Sequence, residues 1–148
     1  MQLVWVQMPA PTNDEIAASL TLASGIIGNP ERVAAEVAAA WRDIDDALTP
    51  IIGKRGVAAL YGRSVHLAGR AHPWLASAEL GAPASMDLSL LVSKFSSQTA
   101  AEAAAGGGQL LHALHELLTN LIGASLTERL LRSVWARFLV GAPKDSLP

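Results

Sequence analysis

The chain contains no cysteine. That excludes disulfides and thiolate-ligated metals, and it suits a reducing cytoplasm. Charge is scarce too. Asp, Glu, Lys and Arg make up 16% of the 148 residues, against about 25% in an average domain. The net charge of −2 and a pI near 6.0 exclude a global field that would gather nucleic acid or an acidic membrane. Long apolar runs are missing. The uncharged stretch 16–30 is interrupted by Ser19, Thr21, Ser24, Gly25, Gly28 and Asn29, whereas a spanning helix needs about 18 or more consecutive apolar residues. No integral membrane segment is expected. Residues 1–8 lack the basic region of a signal peptide. No alternating apolar run is long enough to call for a sheet.

What is abundant is alanine and leucine, both good helix formers. They raise mean hydropathy to +0.31. With so few charges, apolar surface should remain after one core is packed, which points to a partner surface or a ligand pocket.

The chain also repeats itself. Leu48-Thr49-Pro50-Ile51-Ile52-Gly53 returns as Leu118-Thr119-Asn120-Leu121-Ile122-Gly123, an offset of 118 − 48 = 70. Leu60 then aligns with Leu130, and a one-residue gap aligns Arg63-Ser64-Val65-His66 with Arg132-Ser133-Val134-Trp135. Each copy reads as helix, glycine stop, helix. The expected fold is all-α: one domain over 1–148, a bundle of about six to seven helices around two pseudo-repeated hairpins. Segments 38–66 and 108–135 should superpose about a pseudo-twofold axis. Residues 1–12 read as a loose arm and 142–148 as a loose tail.

Local signals place the helices. Thr12 or Asn13 caps a first helix to about Ile27. Asn29 and Pro30 open a second, with Val33, Val37, Trp41, Ile44 and Leu48 on its buried face. Pro50 should kink or end it, and Gly53 and Gly56 form the hinge. A third helix spans about 57–69, with Val57, Leu60, Tyr61, Ser64, Leu67 and Ala68 on one side. Pro73 starts a short helix to about Leu80, and Gly81-Ala82-Pro83 is a connector. Ser85 or Asp87 opens a helix through Leu91 and Phe95 towards Ala105. Gly106-Gly107-Gly108 acts as a flexible joint or interrupts a longer helix. A leucine stripe of Leu110, Leu114, Leu117, Leu118 and Leu121 then runs to Gly123, expected as a left-handed cap. Ser125-Leu126-Thr127-Glu128 reads as a capping box opening the last helix, to about Val140.

No catalytic, metal or nucleotide motif is strong. The triple glycine lacks the Lys-Ser/Thr pair and preceding strand of a phosphate loop. His112 and His115 stand three apart on one helix, without a third local ligand. Arg63, His66 and Arg70 form a basic stripe, and Arg129 and Arg132 form another. Both suit an acidic protein partner or a phosphate. Aromatics do not interleave with these arginines, so nucleic acid is not an expected partner.

The stretch His115-Glu116-Leu117-Leu118-Thr119-Asn120-Leu121 resembles the phospho-acceptor box of histidine-kinase dimerisation domains. In that family the histidine lies on the first helix of a hairpin, and two hairpins make a four-helix bundle. The resemblance implies His115 as phospho-acceptor, Glu116 as its acid/base neighbour, Thr119 one turn on, and a response regulator as partner. Asn120 stands where the family has proline, and the proline of the other repeat, Pro50, follows Asp45 rather than a histidine.

The leading expectation is a non-enzymatic cytoplasmic regulatory module without cofactor, acting by homodimerisation and partner binding. A histidine phosphotransfer protein using His115 is the first alternative. A helical sensor of a small apolar ligand or haem is the second.

Overall fold

Three side-chain caps set where this chain becomes helix. Thr12 Oγ1 accepts from the Glu15 amide at 3.1 Å while the Thr12 amide donates to Glu15 Oε1 at 2.8 Å, a reciprocal capping box. Asn29 accepts from the Glu31 amide at 2.9 Å, and Thr99 accepts from the Glu102 amide at 3.1 Å. The computed structural model describes residues 11–25, 28–76 and 88–139, and among them it contains six helices and no strand. These are α1 (Asn13–Ala23), α2 (Pro30–Ala68), α3 (Pro73–Ala76), α4 (Leu88–Ser96), α5 (Ala100–Ile122) and α6 (Ala124–Leu139). The fold is all-α, as the periodicity predicts. None of these helices is long and apolar enough to cross a membrane.

Of the expected arm over 1–12, residues 1–10 lie outside the described residues, as does the tail over 142–148, whereas Thr12 is the cap of α1 and not loose chain. The predicted helix ends at Ile27, Leu80 and Val140, the connector Gly81-Ala82-Pro83, and the caps Ser85 and Asp87 also lie outside them.

α2 is one element only by its hydrogen bonding. Gly53 sits at φ 79°, ψ 165°, a region that essentially only glycine enters. The rings of Trp41 and Tyr61 lie 5.1 Å apart, edge to face. Twenty residues of straight helix would separate them by about 30 Å, so the arm after Gly53 folds back on the arm before it. Gly56 stays helical, and Pro50 remains inside the first arm. The hinge is therefore Gly53 alone. Gly123 has φ 92°, ψ 156°, nearly the Gly53 conformation and not the left-handed cap predicted for it. Across it His115 and Trp135 meet at 5.8 Å. α6 starts at Ala124, directly after this glycine.

The triple glycine is the largest departure from the sequence reading. It neither joins nor interrupts helices, because α5 runs unbroken from Ala100 through it. The break falls earlier, at 97–99, where Thr99 caps the new helix. The glycines are buried in closely packed surroundings. A Cβ on Gly106 would meet Trp74 Cζ2 at 2.6 Å, one on Gly107 would meet Leu20 Cδ1 at 2.6 Å, and one on Gly108 would meet the Asn13 backbone oxygen at 2.7 Å. They let α5 press against α1, α2 and α3. The Asn13 amide and the Gln109 side-chain carbonyl close the same contact with a hydrogen bond.

α2 and α5 pack on each other at the centre. α1 packs chiefly on α5, and α4 chiefly on α2. Ile16 and Leu20 enter the core from α1, as Leu91 and Phe95 do from α4. The predicted face of α2 is fully buried at Val33, Val37, Trp41, Ile44 and Leu48. The leucine stripe of α5 holds at Leu110, Leu114 and Leu118, with Leu111 added to it. Leu121 departs from it at 62% exposed.

Burial follows the 70-residue offset. Fourteen residues of α2 are buried, and thirteen of them fall on buried residues 70 positions later; only Ala58, opposite Glu128, does not. The caps Asn29 and Thr99 and the breaks Gly53 and Gly123 keep the same interval. This register runs without the gap that the sequence comparison introduced. Arg63 therefore falls opposite Ser133, and it is not the counterpart of Arg132.

Candidate functional site

The residues of the acceptor-like stretch sit on α5 between its deeply packed glycine end and the break at Gly123. Leu110, Leu114 and Leu118, four apart and on one face, take the core side, and His115, one position past Leu114, falls beside that face. His115 is half-buried there, and Glu116 is exposed. A shallow groove of about 190 Å³ is lined by His115, Glu116, Thr119 and Asn120. A second, of about 400 Å³, runs between α5 and the turn after α2, and brings Arg70 to His112, Glu116 and Asn120. The two share Glu116 and Asn120 as lining residues. His112 Nε2 stands 3.4 Å from Glu116 Oε2.

Burial pushes the His115 pKa down, because an imidazolium there loses water. The neighbouring His112 acts in the same direction, while Glu116 and Glu128 oppose it. That shift favours the neutral ring. The ring packs edgewise against Trp135, which is 5% exposed. Two donors beside it are orphaned: Thr119 Oγ1 and Trp135 Nε1 are buried and have no hydrogen-bond partner.

At the offset of 70, His115 and Thr119 correspond to Asp45 and Thr49. Thr49 Oγ1 donates to Asp45 Oδ1 at 2.7 Å. One hydroxyl is thus closed by a carboxylate and its counterpart is left open. No protein-family model matches the chain, and it has no match among curated proteins or solved structures.

The predicted basic stripes are exposed. Arg63, His66 and Arg70 line the second arm of α2 and its end, and Arg129 and Arg132 line α6. Of the five, Arg70 alone borders the α5 groove. Among the described residues no three His, Asp or Glu side chains are grouped to hold a metal ion.

Sequence reasoning missed a second polar cluster. Glu102 Oε2 accepts from Trp74 Nε1 at 2.9 Å and pairs with His72 Nδ1 at 2.7 Å. These bonds hold the Glu102 carboxyl below its usual pKa, Trp74 contributing most and His72 next. Trp74 rests over Gly106 one turn further along α5 and meets Phe95 edge to face at 4.9 Å. The cluster clasps α3 to the start of α5. Its signal in the sequence was faint: a glycine four residues after a glutamate.

Proposed function

We propose that this chain is a non-enzymatic helical association module, built from two copies of one hairpin and acting through its own dimerisation and a further protein partner. The hairpins, 38–66 and 108–135, are related by a pseudo-twofold axis. Their matched caps, matched glycine breaks and shared burial pattern support this relation. The observation that carries the functional reading is where the surplus apolar surface lies. Ile51 is 49% exposed and Leu121 is 62% exposed. They are counterparts at the offset of 70, each two residues before its glycine break, and Leu126 follows the second break at 38% exposed. Among the described residues the one other large apolar side chain so exposed is Leu22 near the end of α1, at 79%, and these three lie at the elbows. Burying them would stabilise a contact by about 25 cal/mol per Å². A symmetric homodimer is the simplest closed assembly for such a surface. Sedimentation equilibrium should show a dimer at micromolar concentration, and the Ile51→Glu/Leu121→Glu double variant should be a monomer with unchanged helix content. Wild type that stays monomeric at high micromolar concentration would remove this reading.

A second reading is phosphotransfer through His115, with Glu116 and Thr119 beside it and a response regulator as partner. It is favoured by the half-buried neutral imidazole, which borders an open groove; such a ring is a good nucleophile near pH 7. Transfer from an acyl phosphate at neutral to alkaline pH should label wild type and His112→Ala but not His115→Ala. Equal labelling of wild type and His115→Ala would end it.

A further inference from the structure

We propose that the two grooves beside His115, which share Glu116 and Asn120, form a reversible binding site for the phosphoryl group of a small molecule, held by Arg70, His112, His115, Thr119 and Asn120. Donors dominate this trough. It offers a guanidinium, two imidazoles, a hydroxyl and an amide, against one carboxylate on its wall, Glu116, which already stands 3.4 Å from His112. Arginine with neutral donors around it is a good receptor for a tetrahedral oxyanion. Thr119 supplies an unused donor, since its buried Oγ1 has no partner. Threonine in a helix readily takes two χ1 rotamers, so this hydroxyl can turn to a ligand without moving the backbone.

The positions 70 residues earlier carry a different set of side chains under nearly the same burial pattern. The counterparts in the first half are Arg42 for His112, Asp45 for His115, Asp46 for Glu116, Thr49 for Thr119 and Pro50 for Asn120. There the hydroxyl is consumed by Asp45, which stands in place of His115, and Pro50 stands in place of the Asn120 amide, while Arg42 and Asp46 keep a cation and a carboxylate. That burial pattern accommodates a closed hydroxyl there. The open hydroxyl beside an imidazole belongs to the second half. The wider groove also carries Leu67 and Leu117 on its wall, which suits an organic group attached to the phosphate.

The site is that of the phosphotransfer reading but needs no covalent step, so the two fail separately: acyl-phosphate labelling tests transfer, and equilibrium binding tests this. The experiment is a titration of the full chain with inorganic phosphate and with phenyl phosphate, at fixed ionic strength, followed through the histidine Hε1 resonances. Saturable shifts are expected at His115 and His112. Arg70→Ala and Thr119→Val should each weaken binding, Arg70→Ala by ~10-fold or more, while Thr49→Val leaves it unchanged. A bound anion favours the imidazolium of His115, so the pKa of that ring should rise on binding. The charged groups that bear on the ring are His112 and Glu116 on α5 and Glu128 on α6. Tighter binding of phenyl phosphate supports an ester as the source, and equal affinities support free phosphate; either upholds the site. Shifts that do not saturate, that affect all four histidines alike, or that survive both Arg70→Ala and Thr119→Val would overturn it.

Discussion

Val37 and Gly107, 107 − 37 = 70 positions apart, pack against each other. A Cβ built on Gly107 would stand 2.9 Å from Val37 Cγ2. The contact is asymmetric in size. Val37 supplies a β-branched side chain and Gly107 supplies the space for it.

This predicts the cost of filling the space. Gly107→Ala should destabilise the fold by about 1–3 kcal/mol through overpacking, despite alanine's better helix propensity. Val37→Ala should relieve part of that clash. Urea unfolding of the double variant should therefore show less destabilisation than the sum of the single variants. Strict additivity would mean that the two side chains do not compete for one space.

The glycine breaks make a second test. Alanine at Gly53 or Gly123 must adopt a positive φ that L residues avoid, at about 1–3 kcal/mol each. Neither position has an atom within 4 Å of the added Cβ, so the penalty is conformational and the two values should agree. Gly62 is the control. It lies within the second arm of α2, with open space around it and no positive φ. Gly62→Ala should stabilise by about 0.5–1 kcal/mol. Thermal unfolding of the three variants decides between a conformational and a packing role.

Glu102 contributes to the acid limb of stability. Its folded pKa is depressed by the bonds from Trp74 and His72. The unfolded chain therefore takes up its proton first, so the stabilisation is full above pH about 4.5 and is lost as pH falls through the folded value. Glu102→Gln should flatten the stability profile in that window. The effect is small, because this carboxylate is 43% exposed and solvent screens it. An unchanged acid limb in Glu102→Gln would show that the clasp is not electrostatic.

His115 acts in a different window. Its folded pKa lies below the ordinary histidine value of 6.5. As pH falls below about 6.5 the unfolded chain binds a proton that the folded chain resists, so stability declines until the folded value is passed. His115→Asn should remove that slope, while His112→Asn should leave it largely in place. Chemical denaturation at intervals from pH 7.5 to 5 measures it directly.

Much of the architecture was legible in order along the chain. The capping residues Thr12 and Asn29, the apolar face of α2, and the two Leu-Thr-x-x-Ile-Gly segments are local signals. Periodicity and caps act within one or two turns, so a linear reading finds them. The all-α class followed from these alone. Tertiary packing decided the rest. Gly106-Gly107-Gly108 carries the local signature of a flexible joint, yet it is continuous helix, because three neighbouring elements press against it and leave no room for side chains. Leu121 matched the core stripe by spacing but lies outside it, because the chain turns at Gly123 and carries the end of α5 past its neighbours. The open hydroxyl of Thr119 and the Trp135 ring against His115 depend on residues 16 and 20 positions apart meeting across a break. His115 and Thr119 were visible as residues; only the tertiary structure decided that Thr49 is closed by Asp45 while the Thr119 hydroxyl is buried without a partner.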